Sequence, residues 1–258
     1  MDSSEQASPV PIEKQPGKNS LNKRLFMWGL FVIKWAIIGF FGATLFGILL
    51  YAFINPPVTP LMVQRAVQQK LSGKKMQISK KWVPIEEISN HMVKAVVSSE
   101  DNRFLEHWGI DVQAIQKAVD YNKRHKRKRG ASTITQQVAK NVYLWPSRTW
   151  LRKGFELYFT VMIEAVWSKK RIMEVYLNVM ETGDGVYGAE AAARKYFHKP
   201  ASRLTKGEAA LIAACLPSPR KRNPAAPTPY LYRRQAQIMN LMNKIGAVDF
   251  HRKPEKKQ

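Results

Sequence analysis

The chain has 258 residues, 45% of them apolar, so it can bury a core and is not a disordered protein. It carries 42 Lys and Arg against 19 Asp and Glu, a formal net charge of +23. Such an excess indicates a polyanionic partner: nucleic acid, an anionic membrane surface or a phosphorylated substrate. The single cysteine, Cys215, excludes a disulfide within the chain and lies in an apolar run, as a buried core residue would.

The N-terminal part predicts a tail followed by a membrane anchor. Residues 1–24 are rich in Ser, Pro, Gln and Lys, and we expect them to be a disordered tail. Residues 35–54 form a run of 20 without a charge, the length that crosses a bilayer, so we assign 25–55 to a transmembrane anchor. Five cations precede this run, which predicts a cytoplasmic N-terminus and places residues 56–258 outside the cytoplasm. Nucleic acid is therefore not an expected partner.

Residues 100–109 form a dense polar cluster directly after the apolar run Ala95–Val97. The run predicts that Glu100 lies near the end of a packed helix, spanning about residues 89–99. Desolvation there would raise the pKa of the Glu100 carboxyl and suit it to general acid or base chemistry. The alternative is a solvated helix end or a structural ion pair.

A helix predicted from Asp111, with Val112, Ile115 and Val119 on one face, runs into residues 123–129. Six of these seven residues are Lys or Arg. The run is either a solvated loop or a basic patch attracted to anionic lipid headgroups.

Residues 130–141 predict a helix that begins after Gly130 and stacks Ser132, Gln136 and Lys140 on one side. Such a line of donors would suit a phosphorylated or sugar ligand, although a capped surface helix would look similar.

Further helices are predicted over residues 155–167, around 172–178, from 189 to 197, from a capping box at 205–208 to Pro217, and over 230–245. The first carries Glu156 at its start, as a candidate buried carboxylate. Residues 183–188 are interpreted as a glycine-rich loop, and 246–258 as a basic C-terminal tail. The histidines and the cysteine show no metal-ligand spacing, so no metal ligand is assigned.

Five segments together resemble the successive motifs of the peptidoglycan glycosyltransferases. They are Glu100-Asp101-x-x-Phe104-x-x-His107-x-Gly109, residues 130–141, Arg152-Lys153-x-x-Glu156, Lys169-x-x-Ile172-x-Glu174-x-Tyr176-x-Asn178, and residues 204–217. The resemblance covers residues 60–240 and implies a mainly α fold, with a lysozyme-like head and a small membrane-proximal jaw. The glycosyltransferase domain is accordingly assigned to residues 56–245.

The resemblance also implies the chemistry: polymerisation of lipid II into glycan strands, with inversion and release of undecaprenyl diphosphate, at the outer face of the plasma (inner) membrane. Glu100 would be the general base, Lys140 and Arg148 would hold the donor's diphosphate, and Glu156 would be the second carboxylate, acting through a divalent cation (Mg²⁺ or Mn²⁺) or by positioning the basic residues. The other residues assigned to substrate binding are Ser132, Gln136, Gln137, Asn141, Arg152 and Lys153.

The expected partners are lipid II, the growing glycan strand, anionic membrane lipid, and proteins of cell-wall synthesis or division. Two alternatives stay open: a lytic enzyme that cleaves the cell wall, and a membrane-anchored scaffold without catalytic activity.

Overall fold

The computed structural model describes residues 18–126, 128–147 and 149–250. The chain divides into two compact units, with the boundary between Gly47 and Ile48. The first unit contains most of helix α1 (Lys18–Phe53), of which Asn22–Phe53 is long and apolar enough to cross a membrane. The helix begins at Lys18, so residues 18–24, which were expected in the disordered tail, are helical. The reason is that the helix continues from the apolar run into its basic flank. Residues 1–17 lie outside the described residues.

The second unit is mostly helical, as the fold class predicted. Its helices are α2 (Pro60–Leu71), α3 (Asn90–Glu100), α4 (Val112–Arg124), α5 (Ile134–Tyr143), α6 (Trp150–Val166), α7 (Lys169–Val179), α8 (Ala189–Phe197), α9 (Lys206–Cys215) and α10 (Pro229–Lys244). Its short strands are β1 (Ser79–Lys80), β2 (Glu181–Gly183) and β3 (Val186–Tyr187). The capping box predicted at residues 205–208 opens α9.

The core forms around two groups of helices. Helix α9 packs against α3 and α10, while α5 packs against α6 and α7. All residues from Ala209 to Cys215 are buried, which confirms the core position of the cysteine. Of the two catalytic candidates, Glu100 is the last residue of α3 and Glu156 lies on α6.

A three-stranded sheet replaces the glycine-rich loop expected at residues 183–188, so that interpretation was wrong. Strand β3 pairs parallel to β1 and antiparallel to β2. The pairing of β1 with β3 joins segments more than one hundred residues apart, and all three strands are only two or three residues long. Hydrophobic alternation cannot show in such short strands.

The end of α1 that belongs to the second unit is held by Trp167, the residue directly after α6, and by Arg171 on α7. Trp167 Nε1 donates to the Ile48 carbonyl at 2.8 Å, and the Arg171 guanidinium donates to the carbonyls of Tyr51 and Ile54. The last carbonyls of a helix lack intrahelical donors, so Arg171 acts as a cap supplied from elsewhere in the fold. Within the expected C-terminal tail, Val248 and Phe250 pack against the core, and residues 251–258 lie outside the described residues.

Candidate active site

Glu100 is the last residue of α3, whose buried residues include Ala95, Val96 and Val97, as the apolar run predicted. Its Oε2 accepts a hydrogen bond from Gln137 Nε2 at 2.9 Å. Burial raises the pKa of the Glu100 carboxyl, and the hydrogen bond from Gln137 opposes that rise. A carboxylate with these two influences is suited to accept a proton near neutral pH.

Glu100 faces an open cleft of about 210 Å³. The cleft lies between the end of α3, the beginning of α4 and the segment that leads into α5. Ser132 is exposed and contributes to its wall. Most of the lining is polar, which suits a hydroxyl-bearing ligand; the lining residues are Ser98 to Asn102, Asp111, Ala114 and Gly130 to Thr133.

The loop after Glu100 is tied to the start of α5. Asp101 accepts from His107 Nε2 at 2.9 Å through one oxygen and from the Ile134 backbone N–H at 3.1 Å through the other. Thr133 Oγ1 donates to the Gly109 carbonyl at 2.6 Å. Asp101 and His107 Nε2 therefore fix the loop beside Glu100, whereas His107 Nδ1 has no hydrogen-bond partner among the described residues.

Gly109 is required at its position, since its φ is +72° and a Cβ there would lie 2.5 Å from Thr160 Cγ2. Lys169 reaches the same loop from α7, donating to the His107 carbonyl at 2.6 Å and to Glu164 at 2.8 Å. Burial lowers the pKa of Lys169. The sequence analysis assigned no role to Lys169 or Glu164. The signal that could have found this ion pair is the position of the two charges on either side of the apolar end of α6.

Helix α5 begins at Ile134, not directly after Gly130, because Thr133 and Gln136 form a capping box. The expected stripe of Ser132, Gln136 and Lys140 was therefore wrong. Ser132 precedes the helix, and Gln136 is buried, with its Oε1 accepting from Thr133 N and Lys153 Nζ. The Thr-x-x-Gln spacing was the signal that could have located this start.

Three further substrate-binding candidates project from α5. Gln137 contacts Glu100, and Lys140 follows one turn later. Burial lowers the pKa of Lys140, while the nearby carboxylates of Glu156 and Glu100 act to raise it. Asn141 is buried, and its Oδ1 has no hydrogen-bond donor among the residues that the structure describes. Glu100 and Lys140 thus lie close enough to interact electrostatically.

Glu156 lies in the second turn of α6 and is 2% exposed. One carboxylate oxygen accepts from Arg152 Nη1 at 2.5 Å, and the other accepts from Lys153 Nζ. The helix begins at Trp150, five residues before its predicted start, which brings both cations onto the same helix as Glu156. Arg148, the second cation assigned to the diphosphate, lies outside the described residues.

The contacts of Glu156 favour one of its two expected roles, the positioning of basic residues. Both of its oxygens are occupied by cations, so the residues present do not fit a divalent cation at this carboxylate. Asp101, His107 and Asp111 also bring possible ligand atoms within 4.8 Å of one another. The Asp111 carboxylate, however, already has two donors. It accepts from Arg103 at 3.2 Å and, as the N-cap of α4, from the Ala114 N–H at 2.9 Å.

The sequence matches the family model named Transglycosylase over residues 66–243. Three curated relatives carry the name biosynthetic peptidoglycan transglycosylase. That of Bacteroides thetaiotaomicron is 54% identical over 81% of this chain and 84% of its own length. That of Bdellovibrio bacteriovorus is 54% identical over 80% and 84%. That of Escherichia coli is 50% identical over 79% and 85%.

The family match agrees with the mostly helical fold, because a transglycosylase domain is lysozyme-like. It also agrees with the enzyme class that the motifs implied. The chain therefore belongs to the transglycosylase family and is a glycosyltransferase.

Proposed function

We propose that this protein polymerises lipid II into peptidoglycan strands, with inversion at the anomeric carbon and release of undecaprenyl diphosphate. One observation carries the proposal: the half-buried Glu100 carboxylate faces a polar cleft and interacts with the half-buried cation Lys140. A base beside a cation fits a reaction in which a hydroxyl loses a proton while a leaving group gains negative charge.

In the proposed step, Glu100 takes the proton from a sugar hydroxyl of the acceptor. The hydroxyl oxygen then forms a bond to the anomeric carbon of the donor. The bond from that carbon to the diphosphate oxygen breaks, and the diphosphate leaves with the electron pair. Because this is one displacement, the configuration at the carbon inverts.

The cations on α5 and α6 would stabilise the departing diphosphate. The lowered pKa of Lys140 reflects burial that a bound anion would compensate. Glu156 holds Arg152 and Lys153 at fixed positions, and Arg148 is assigned to the same anion. No step is assigned to a metal ion, and a requirement for Mg²⁺ or Mn²⁺ stays a prediction.

The remaining features fit a membrane-bound substrate. Val112, Ile115 and Val119 on α4 are exposed, as is Trp108 just before the helix, so this face is assigned to the membrane-proximal jaw. The basic residues 123–129 follow it directly and would contact anionic headgroups. We assign the N-terminus to the cytoplasm and the catalytic unit to the outer face of the inner membrane. Proteins of cell-wall synthesis or division are the expected protein partners.

Incubation with lipid II and, separately, with isolated cell-wall sacculi tests the proposal. We expect glycan polymer from lipid II and no soluble fragments from sacculi. Release of fragments without polymer would favour a lytic enzyme, and inertness toward both would favour a scaffold. Protease treatment of spheroplasts tests the topology, since cleavage confined to the N-terminal tail would contradict it.

A further inference from the structure

A buried tyrosine lies behind the candidate base. Tyr176 on α7 is 1% exposed, and its hydroxyl donates to Gln137 Oε1 at 3.3 Å. The other end of the same amide, Gln137 Nε2, donates to Glu100 Oε2 at 2.9 Å. Three helices, α7, α5 and α3, thus supply one continuous chain of hydrogen bonds that ends at the carboxylate.

The direction of this chain matters because a glutamine amide has two different ends. Its NH₂ group stabilises a carboxylate, whereas its carbonyl oxygen would repel one. An ionised carboxylate only accepts, so the NH₂ faces Glu100, and the Tyr176 hydroxyl supports this orientation by donating to the carbonyl at the far end. Burial raises the pKa of Tyr176 well above its ordinary value, so the hydroxyl keeps its proton and stays a donor at neutral pH.

We propose that Tyr176 is a positioning residue for the glycosyl transfer: by holding the Gln137 carbonyl, it presents the amide NH₂ to Glu100 and keeps that carboxylate ionised and oriented. The inference rests on the proposed function, in which Glu100 is the base. It gives a role to a tyrosine that has no direct access to substrate.

The expected effect is a change in the pH at which the base becomes protonated. Removing the Tyr176 hydroxyl lets the Gln137 amide turn, which weakens the hydrogen bond that stabilises ionised Glu100. The pKa of Glu100 should then rise further, and kcat/KM should begin to fall at a higher pH. The other charged groups near Glu100 are untouched by this change; they are Arg234 on α10, Lys140 on α5 and the adjacent Asp101.

The test is the pH profile of lipid II polymerisation by the full-length protein and Tyr176→Phe. We expect the acid limb of kcat/KM to move to a pH higher by roughly 0.5 to 1 unit. This is the scale expected when a hydrogen bond to a charged group is weakened because the amide also occupies a second orientation. Below the limb, the rate should therefore be about 3- to 10-fold lower than wild type. Above it, the two rates should converge.

Tyr187→Phe is the matched control. Tyr187 is also fully buried, and its hydroxyl has no hydrogen-bond partner within the described part of the chain. The same single oxygen is removed from a similar environment, so the acid limb should stay at the wild-type position. An equal shift in both variants would overturn the proposal.

Gln137→Met provides a second route, because Gln137 is only partly buried and the substitution removes both ends of the amide. It should move the limb at least as far as Tyr176→Phe does. The double variant should move it no further than Gln137→Met alone, since Tyr176 acts only through the amide. Additive shifts would overturn the proposal. An unmoved limb in Gln137→Met would overturn it as well, even if Tyr176→Phe does not fold, because Tyr176 could then not act through the amide.

A Tyr176→Phe protein with a lower melting temperature but an unmoved acid limb would show a purely structural tyrosine and overturn the inference. Failure of the proposed function would look different. In that case Glu100→Gln itself would retain activity, whatever the behaviour of the Tyr176 variant.

Discussion

Replacing Glu156 with glutamine removes the one carboxylate that two cations share on α6. Its side chain is 3% exposed and that of Arg152 is 11% exposed, so this pair is buried. Breaking a buried ion pair by removing one partner typically costs about 3–5 kcal/mol, because the remaining charge is left uncompensated. The Lys153 side chain is 42% exposed and can turn toward water, which favours the lower end of that range.

For a unit of this size, about 3 kcal/mol corresponds to a decrease in melting temperature of roughly 6–12 °C. The assay is thermal unfolding of wild type and Glu156→Gln in the same detergent, followed by polymerisation rates measured well below both transitions. Glu106→Gln is the control, because it also removes the acidic partner of an arginine, Arg103, but the Glu106 side chain is 57% exposed. That change should cost about 0–1 kcal/mol.

The combination of stability and rate decides what Glu156 does. Lower stability together with weaker polymerisation is expected if the carboxylate positions Arg152 and Lys153. Unchanged stability with lost polymerisation would refute this reasoning, since Glu156 would then act on the substrate or on a metal ion instead of holding the cations.

Three further outcomes are expected. Burial raises the folded-state pKa of Glu100, so the contribution of this carboxyl to stability is present at low pH and is lost as pH rises through that pKa. Glu100→Gln should therefore have a higher melting temperature than wild type at pH 8 but not at pH 4. The same difference at both pH values would contradict this. Replacing the six cations of residues 123–129 with Gln should reduce the preference of polymerisation for anionic over zwitterionic nanodiscs, most visibly at low salt, whereas an unchanged preference would make the run a solvated loop. Arg171→Gln should cost about 1–3 kcal/mol and expose the end of α1 to protease, because the carbonyls of Tyr51 and Ile54 lose their donors; wild-type protease resistance would show that the cap is dispensable.

Most of the helical architecture could be predicted from the sequence because its signals are local. The capping box at residues 205–208, the Asp111 N-cap and the apolar run before Glu100 each depend on neighbouring residues alone. The strands β1 and β3 could not be predicted, since their pairing is between distant segments.

The residues of the candidate site were recognisable by type, but their contacts were not. The sequence singled out Glu100 and Gln137 separately, yet the 2.9 Å bond between them depends on the packing of α5 beside α3. Tyr176 appeared only as a member of a motif, because its depth behind Gln137 is a property of the tertiary fold. The misplaced start of α5 came from overlooking a local signal, the Thr133 cap.

The most direct test of Glu100 as the general base is the rate of lipid II polymerisation by wild type and Glu100→Gln, both shown to be folded by their melting temperatures. The amide keeps the size of the side chain but cannot take the acceptor's proton. The rate should therefore fall by roughly two to four orders of magnitude, the contribution typical of a general base. Polymerisation by folded Glu100→Gln at near wild-type rate would contradict the assignment.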